Sequence, residues 1–398
     1  MKPIRFKAVY LLPGIMLLVT IYILMAVNYI GSPGIIKKAD FKIFYTAGRL
    51  ADTGAIKQLY DIQAQLGVQE ALIGHSLDQD ELLPFNHPPM LVPILQIITT
   101  TDYLASYLRW LVVMICLLGV TGFVIFRALR EKKVGRGYSL LILAALLLFY
   151  PVFISLLKGQ DTPFLLLGGI FWLYGVLTQN DPMAGLGLAL MIIRPQIAVI
   201  LSVPFLLNRQ KVWWWFCGGA TVLTIYSIAL VGFGASGDFI HLLLISAVGQ
   251  GYGLTQGAMF NFNGMMLRIF PQININLVHA LAWGLFVLAI AGLSILWKTS
   301  EQIRLKHLLL AICLSLFAAP HLHYHDLAFL IVSLFGLGFI IIPFGKPAIL
   351  SYTSLIIIAS IILLLGEWWD PLRFSFPYLL MAVVPLIAWR MEKLAESK

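Results

Sequence analysis

The chain opens MKPIRFKAVYLLPGIMLLVTIYILMAVNYI, residues 1–30. Lys2, Arg5 and Lys7 precede an apolar run from Ala8 to Ile30, close to the ~20 residues that cross a hydrocarbon core. The run is too long for the core of a cleaved signal peptide and reads as a signal anchor with its N-terminus inside. The remainder of the 398 residues follows suit: 60% are hydrophobic and 11% charged, where a soluble domain is roughly a quarter charged. This composition excludes a soluble enzyme, a disordered chain and a disulfide scaffold. Cys116, Cys217 and Cys313 all lie in apolar stretches, so no loop cysteine is available for a disulfide. No basic stripe or heptad pattern points to nucleic acid or a coiled coil. The formal charge of +9 is therefore read through loop asymmetry.

Ten apolar runs read as full spans, at roughly 8–30, 104–126, 137–157, 162–178, 212–232, 276–297, 306–320, 327–345, 348–366 and 376–390. Met90–Thr99 is too short to span and reads as a juxtamembrane or re-entrant helix. The stretch 183–207 is split by Arg194-Pro195 and reads as a broken hairpin, which needs protein or water over its freed backbone. The expected architecture is an all-α polytopic membrane protein forming a single domain over 1–398, with two sizeable outer loops, 31–88 and 233–275. In the first loop Asp40 can cap a helix Phe41–Asp52 that Gly54 ends, and Asp61 can start another. The parity of these spans puts 17 Lys and Arg against 5 Asp and Glu on the inner side, and 10 against 13 elsewhere. The basic excess places both termini in the cytoplasm.

Ionisable groups at membrane depth are costly and mark function. Here Asp40, His87, Lys158, Gln160, Asp161, Arg194 and the run His321–Asp326 all map to outer loops or outer span ends. Asp40, in ADFKIFYTAGRLADTG (39–54), is a candidate general base for an acceptor hydroxyl as well as a helix cap. His87 follows Asn86 in LPFNHPPM, where the prolines suit a helix start. In the turn KGQDTPF (158–164) Asp161 reads as a cap and Lys158 as a snorkelling end, while Gln160 suits a hydrogen bond to sugar or phosphate. Arg194 needs an anionic partner: a phosphate, matching its planar fork, or a salt bridge to an outer aspartate. His321 and His325 with Asp326 have helical spacing for a metal, but no second ligand set accompanies them. Histidines there suit hydrogen bonds to a phosphate. The second loop, GQGYGLTQGAMFNFNG (249–264), offers aromatic and amide groups that suit a sugar ring or a flexible lid.

Taken in order, these segments resemble glycosyltransferase family 87, integral-membrane GT-C enzymes that use polyprenyl-phosphate sugars. Asp40 with Phe44-Tyr45-x-Ala47-Gly48 is similar to the family's segment after its first span, and Leu59-Tyr60-Asp61 to its LYD step. His87-Pro88-Pro89 stands where the family often has Tyr-Pro-Pro. Gly159-Gln160 resembles its Gly-Gln turn, Arg194-Pro195 its basic-Pro break, and Pro320–Asp326 its late histidine-rich turn.

The resemblance implies a GT-C-like helical bundle and transfer of a hexose, commonly mannose, from a polyprenyl-phosphate sugar to a lipid or glycan hydroxyl. Asp40 would be the catalytic base. Arg194, Lys158, His321 and His323 would bind the donor phosphate, with Gln160, His87, Tyr45, His325 and Asp326 around the substrates. Membrane lipids are the other expected partners, and no metal or other cofactor is expected. Asp40 is followed by Phe41, not by a second acidic residue as in many GT-C proteins, which leaves the base resting on one residue. A bacterial plasma membrane is the expected location, with the active site on the extracytoplasmic face. A transporter or flippase of lipid-linked or anionic substrates, and a non-catalytic assembly subunit, are the competing readings.

Overall fold

The computed structural model describes residues 8–78, 80–248, 252 and 256–396. The basic leader 1–7 and much of the uncharged segment that begins at residue 249 lie outside the described residues. The protein is an all-helical polytopic membrane protein, with no strand among the described residues.

Seven of the ten apolar runs are helices long and apolar enough to cross a bilayer: Val9–Ile30, Tyr103–Glu131, Gln210–Ser246, Ile275–Thr299, Tyr324–Phe344, Lys346–Trp368 and Asp370–Leu394. The run 137–157 is a pair of helices, Arg136–Leu147 and Tyr150–Leu157, bent by 53° at a short break. The runs 162–178 and 306–320 prove to be shorter helices, Thr162–Leu177 and Leu305–Ala318. The expectation of ten full spans is corrected on these two. Thr162–Leu177 has 13 of its 16 residues buried, so other helices, not lipid, cover its apolar surface. Length need not match the bilayer for such a helix.

Small residues let this central helix meet its neighbour closely. A Cβ on Gly187 of helix Asp181–Leu190 would lie 2.5 Å from the Trp172 backbone nitrogen, and one on Gly168 would lie 2.7 Å from the Gly187 carbonyl. Backbone-to-backbone packing of this kind is how helices associate in lipid, where burial of apolar surface gives little drive. The hairpin 183–207 breaks as expected: Arg194 leaves helical angles (φ −124°, ψ 74°) and Pro195 begins helix Pro195–Ser202.

The first loop is mostly helical. Helix Phe41–Asp52 is followed by Gly54 at φ +79°, and Asp61 caps helix Ile62–Ile73 through the Ala64 amide at 2.8 Å. Gly48 lies so close to the short helix Val92–Ile98 that a Cβ there would come 2.9 Å from the Leu95 carbonyl. The second loop departs from expectation. The helix from Gln210 continues through a break at Gly232 (φ 86°) as far as Val248, and Phe262–Ile269 adds another. Glycine takes that positive φ without the Cβ penalty, so the chain redirects and resumes its helix.

Candidate active site

Asp40 begins helix Phe41–Asp52 in helical backbone geometry (φ −61°, ψ −22°), and its side chain makes no capping hydrogen bond. A capping aspartate uses extended angles to fold its carboxylate back over the first amides. Asp40 lacks them, so the capping reading is corrected and the carboxylate is left for other contacts. It accepts a hydrogen bond from Gln160 Nε2 at 2.8 Å, and His325 Nδ1 lies 3.9 Å from the same oxygen.

The Gly159-Gln160 turn is built to make that contact. Gly159 sits at φ +71°, and a Cβ there would lie 2.7 Å from Phe41 Cβ, so only glycine fits. The Phe41 amide donates to the Lys158 carbonyl at 3.0 Å. Trp110 Nε1 donates to the Gly159 carbonyl at 2.8 Å, and Tyr107 hydroxyl to Leu157 at 3.0 Å. Gln160 is buried, and its Oε1 has no hydrogen-bond partner among the described residues.

Arg194 is held by two aspartates. Its Nη2 lies 2.9 Å from Asp161 Oδ1 and its Nε 2.9 Å from Asp326 Oδ1. His87 Nδ1 lies 2.8 Å from the other oxygen of Asp161. Asp161 thus serves as a fully buried counter-ion and not as the expected cap, since its side chain bonds no helix amide. Burial raises its carboxyl, but Arg194 and then His87 outweigh that and hold it down at about 2. The salt bridge to aspartate, one of the two readings open for Arg194, is the one the structure contains.

His87 is placed by the LYD segment: the Tyr60 hydroxyl donates to the His87 carbonyl at 2.7 Å, and Gln65 accepts from the Phe85 amide at 2.7 Å. The histidine turn is braced by amides of the second loop. Asn261 Nδ2 donates to the carbonyls of Ala319 and Pro320 at 2.8 Å, and Asn263 Nδ2 to Pro320 at 3.0 Å. His321 Nδ1 lies 2.9 Å from the Ser246 carbonyl. Burial, and then neighbouring His325, push His323 down to about 4; burial and His323 push His321 well below the ordinary range. Both imidazoles are neutral near pH 7, and so offer hydrogen bonds, not charge. Among the described residues no three His, Cys, Asp or Glu side chains converge as a metal-holding group.

A cavity of about 310 Å³ gathers Asp40, His87, Lys158, Gln160, Arg194, His321, His323, His325 and Asp326. Tyr45 is elsewhere: it packs on Phe41 and Tyr103 and lines a separate groove with Arg49 and Asp102. The cavity wall also contains Glu367 and Arg373, which the sequence reading passed over. Arg373 lies over the Tyr324 and Phe374 rings at 5.8 and 5.7 Å, 3.9 Å from Glu367, with Nε buried and unpartnered among the described residues. The signal was present: both flank Trp368-Trp369 at a span end, the same position that singled out Lys158.

A helical membrane bundle with a carboxylate, cations and amides facing one cavity has the make-up of a membrane-embedded group-transfer enzyme. The chain belongs to glycosyltransferase family 87, whose family model matches residues 85–320, more than half its length. No curated protein matches it. It is therefore a glycosyltransferase, with a sugar donor, a sugar acceptor and surrounding lipids as partners. A broken hairpin with a buried arginine is also what carriers use, but here Arg194 is paired with two aspartates.

Proposed function

We propose that the protein transfers a hexose, with mannose the first candidate, from a polyprenyl-phosphate sugar to a hydroxyl of a lipid or glycan acceptor. Asp40 Oδ2 or Oδ1 takes the proton of that hydroxyl as its oxygen attacks the anomeric carbon. The bond from that carbon to the phosphate oxygen breaks, and polyprenyl phosphate departs with its negative charge. Lys158 and Arg373 are the cavity cations not locked between two carboxylates, and they meet that charge. Neutral His321 and His323 add hydrogen bonds to the phosphate, and the vacant Gln160 Oε1 accepts from a sugar hydroxyl. With a monophosphate leaving group the reading calls for no metal. Arg194 shapes the site from behind, through Asp161 and Asp326.

One observation carries the reading: Asp40 neither caps its helix nor pairs with a lysine or arginine among the described residues, yet is fixed by Gln160 at the wall of a cavity with basic side chains. The basic excess of the inner loops supports an extracytoplasmic position for this cavity, in a plasma membrane with both termini in the cytoplasm. The test is transfer from radiolabelled polyprenyl-phosphate mannose in membranes containing the wild type, Asp40→Asn or Arg373→Met. The expected result is transfer by the wild type, none by Asp40→Asn, and a raised KM for donor in Arg373→Met. Equal transfer by wild type and Asp40→Asn sinks the assignment of the base.

A further inference from the structure

A second polar cavity lies at the far end of the bundle. Helix Tyr150–Leu157 ends beside Lys158 at the Asp40 cavity, and its bent partner begins at Arg136. Thr162–Leu177 runs from Asp161 to Leu177, and the helix after the histidine turn runs to Phe344. The distant ends of all three enclose a cavity of about 650 Å³ lined by Lys132, Lys133, Tyr138, Phe339 and Lys346 among others.

Three features of this cavity match one ligand. No carboxylate makes a salt bridge with Lys132, Lys133 or Lys346 among the described residues, although Glu131 lies within electrostatic range of Lys132, whose Nζ sits 5.7 Å from the Phe339 ring centre. Helices Arg136–Leu147 and Lys346–Leu365 both start there from glycines, Gly135 and Gly345, with no side chain capping their first amides. Those free N–H groups add positive potential to that of the lysines. The remaining wall is apolar, with Leu177, Leu305, Ile342 and Ile349.

We propose that this cavity binds the phosphate headgroup of an anionic phospholipid, with an acyl chain along its apolar wall. The apolar residues beside the lysines, at the ends of membrane spans, favour a lipid over a free phosphate. Basic clefts between spans recognise anionic headgroups by this combination of exposed cations and an apolar wall. The site shares no residue with the Asp40 cavity and does not depend on the reaction proposed there.

The test uses the full chain in detergent, with retention of phosphatidylglycerol or phosphatidylcholine followed by native mass spectrometry. The variant is Lys132→Gln/Lys133→Asn/Lys346→Gln, in which asparagine tolerates the left-handed backbone of Lys133 (φ 59°). The wild type is expected to retain phosphatidylglycerol selectively, and the variant to lose on the order of a hundredfold in that affinity. Equal retention by both proteins overturns the site. Release of the lipid by millimolar inorganic phosphate overturns the lipid as ligand. Should the variant not fold, the wild type alone decides. Retention that falls as salt rises to about 1 M supports the site, and salt-independent retention rejects it.

Discussion

Gln160 donates its side-chain amide to the Asp40 carboxylate at 2.8 Å across 120 positions of sequence. This contact fixes the orientation of a carboxylate whose own backbone gives it no capping partner. Replacing the acid with its isosteric amide should therefore separate chemistry from folding. Asp40→Asn is expected to lose transfer by about 10²–10⁴-fold, the range for a positioned general base. Its thermal melting should stay within a degree or two of wild type, and a large fall in melting temperature would contradict the idea of an uncommitted carboxylate.

Removal of the amide is a milder lesion. Gln160→Met keeps the volume but drops both the bond to Asp40 and the free Oε1. Loss of one neutral-to-charged hydrogen bond, about 1.5–3 kcal/mol, should lower kcat by roughly tenfold to a hundredfold while donor binding remains measurable. An unchanged kcat would show that Asp40 is oriented by something other than Gln160.

The arginine network should behave oppositely. Arg194→Met strands Asp161 and Asp326 without a cation in a buried setting, which costs about 3–5 kcal/mol. Yield of monodisperse protein and its melting temperature should both drop. Lys158→Met, at a half-buried ammonium 5.8 Å from the Tyr29 ring centre, should leave melting nearly unchanged and raise the KM for donor. Matching effects from the two substitutions would remove the distinction drawn here between a structural and a ligand-facing cation.

Acid should weaken the fold in two stages. His323 has a folded value of about 4, below the ~6.5 of a free imidazole, so the unfolded chain binds the proton first. Its contribution is complete above about 6.5 and fades as pH falls toward 4. The groups facing it are His321, His325, Asp326, Asp40 and Arg194. Asp161, held at about 2, contributes above its ordinary ~3.8 and loses that contribution only in stronger acid. Melting temperature measured from pH 8 down to pH 3 should be level above about 6.5 and then decline. His323→Gln should flatten the first part of the decline, and an unaltered curve would count against the assignment.

Gly159→Ala tests the turn itself. A non-glycine residue at φ +71° costs about 1 kcal/mol or more, and its methyl group would press on Phe41 at 2.7 Å. Because Phe41 is the next residue to Asp40, transfer should fall further than melting does. Normal activity in this variant would show that the turn tolerates the shift.

Much of this is legible in the sequence. Apolar runs and basic loops gave the membrane class and seven of the spans, because hydrophobic length is a direct physical requirement. They misjudged Thr162–Leu177 and Leu305–Ala318, since a helix buried in protein is as apolar as one facing lipid. Ionisable groups at span ends led to eight residues of the cavity, and the neutral amide of Gln160 made a ninth. Their pairing was not legible: Asp161 has the Thr-Pro sequel of a cap, and its bond to Arg194 spans 33 positions with no local signature. Glu367 and Arg373 were passed over although both lie beside Trp368-Trp369 at a span end. Tyr45 was drawn in by its motif, whereas its ring faces a different groove.

The arginine pairing also dictates an order of assembly during synthesis. Asp161 precedes Arg194 by 33 residues, so a neutralising partner is already made when the guanidinium leaves the ribosome. Asp326 arrives 132 residues later, after two further long apolar helices. Until then Arg194 has one partner and the histidine turn does not exist. The cavity around Asp40 is thus completed late in biogenesis, and a nascent chain stalled before residue 326 would hold a seated hairpin without a closed cavity.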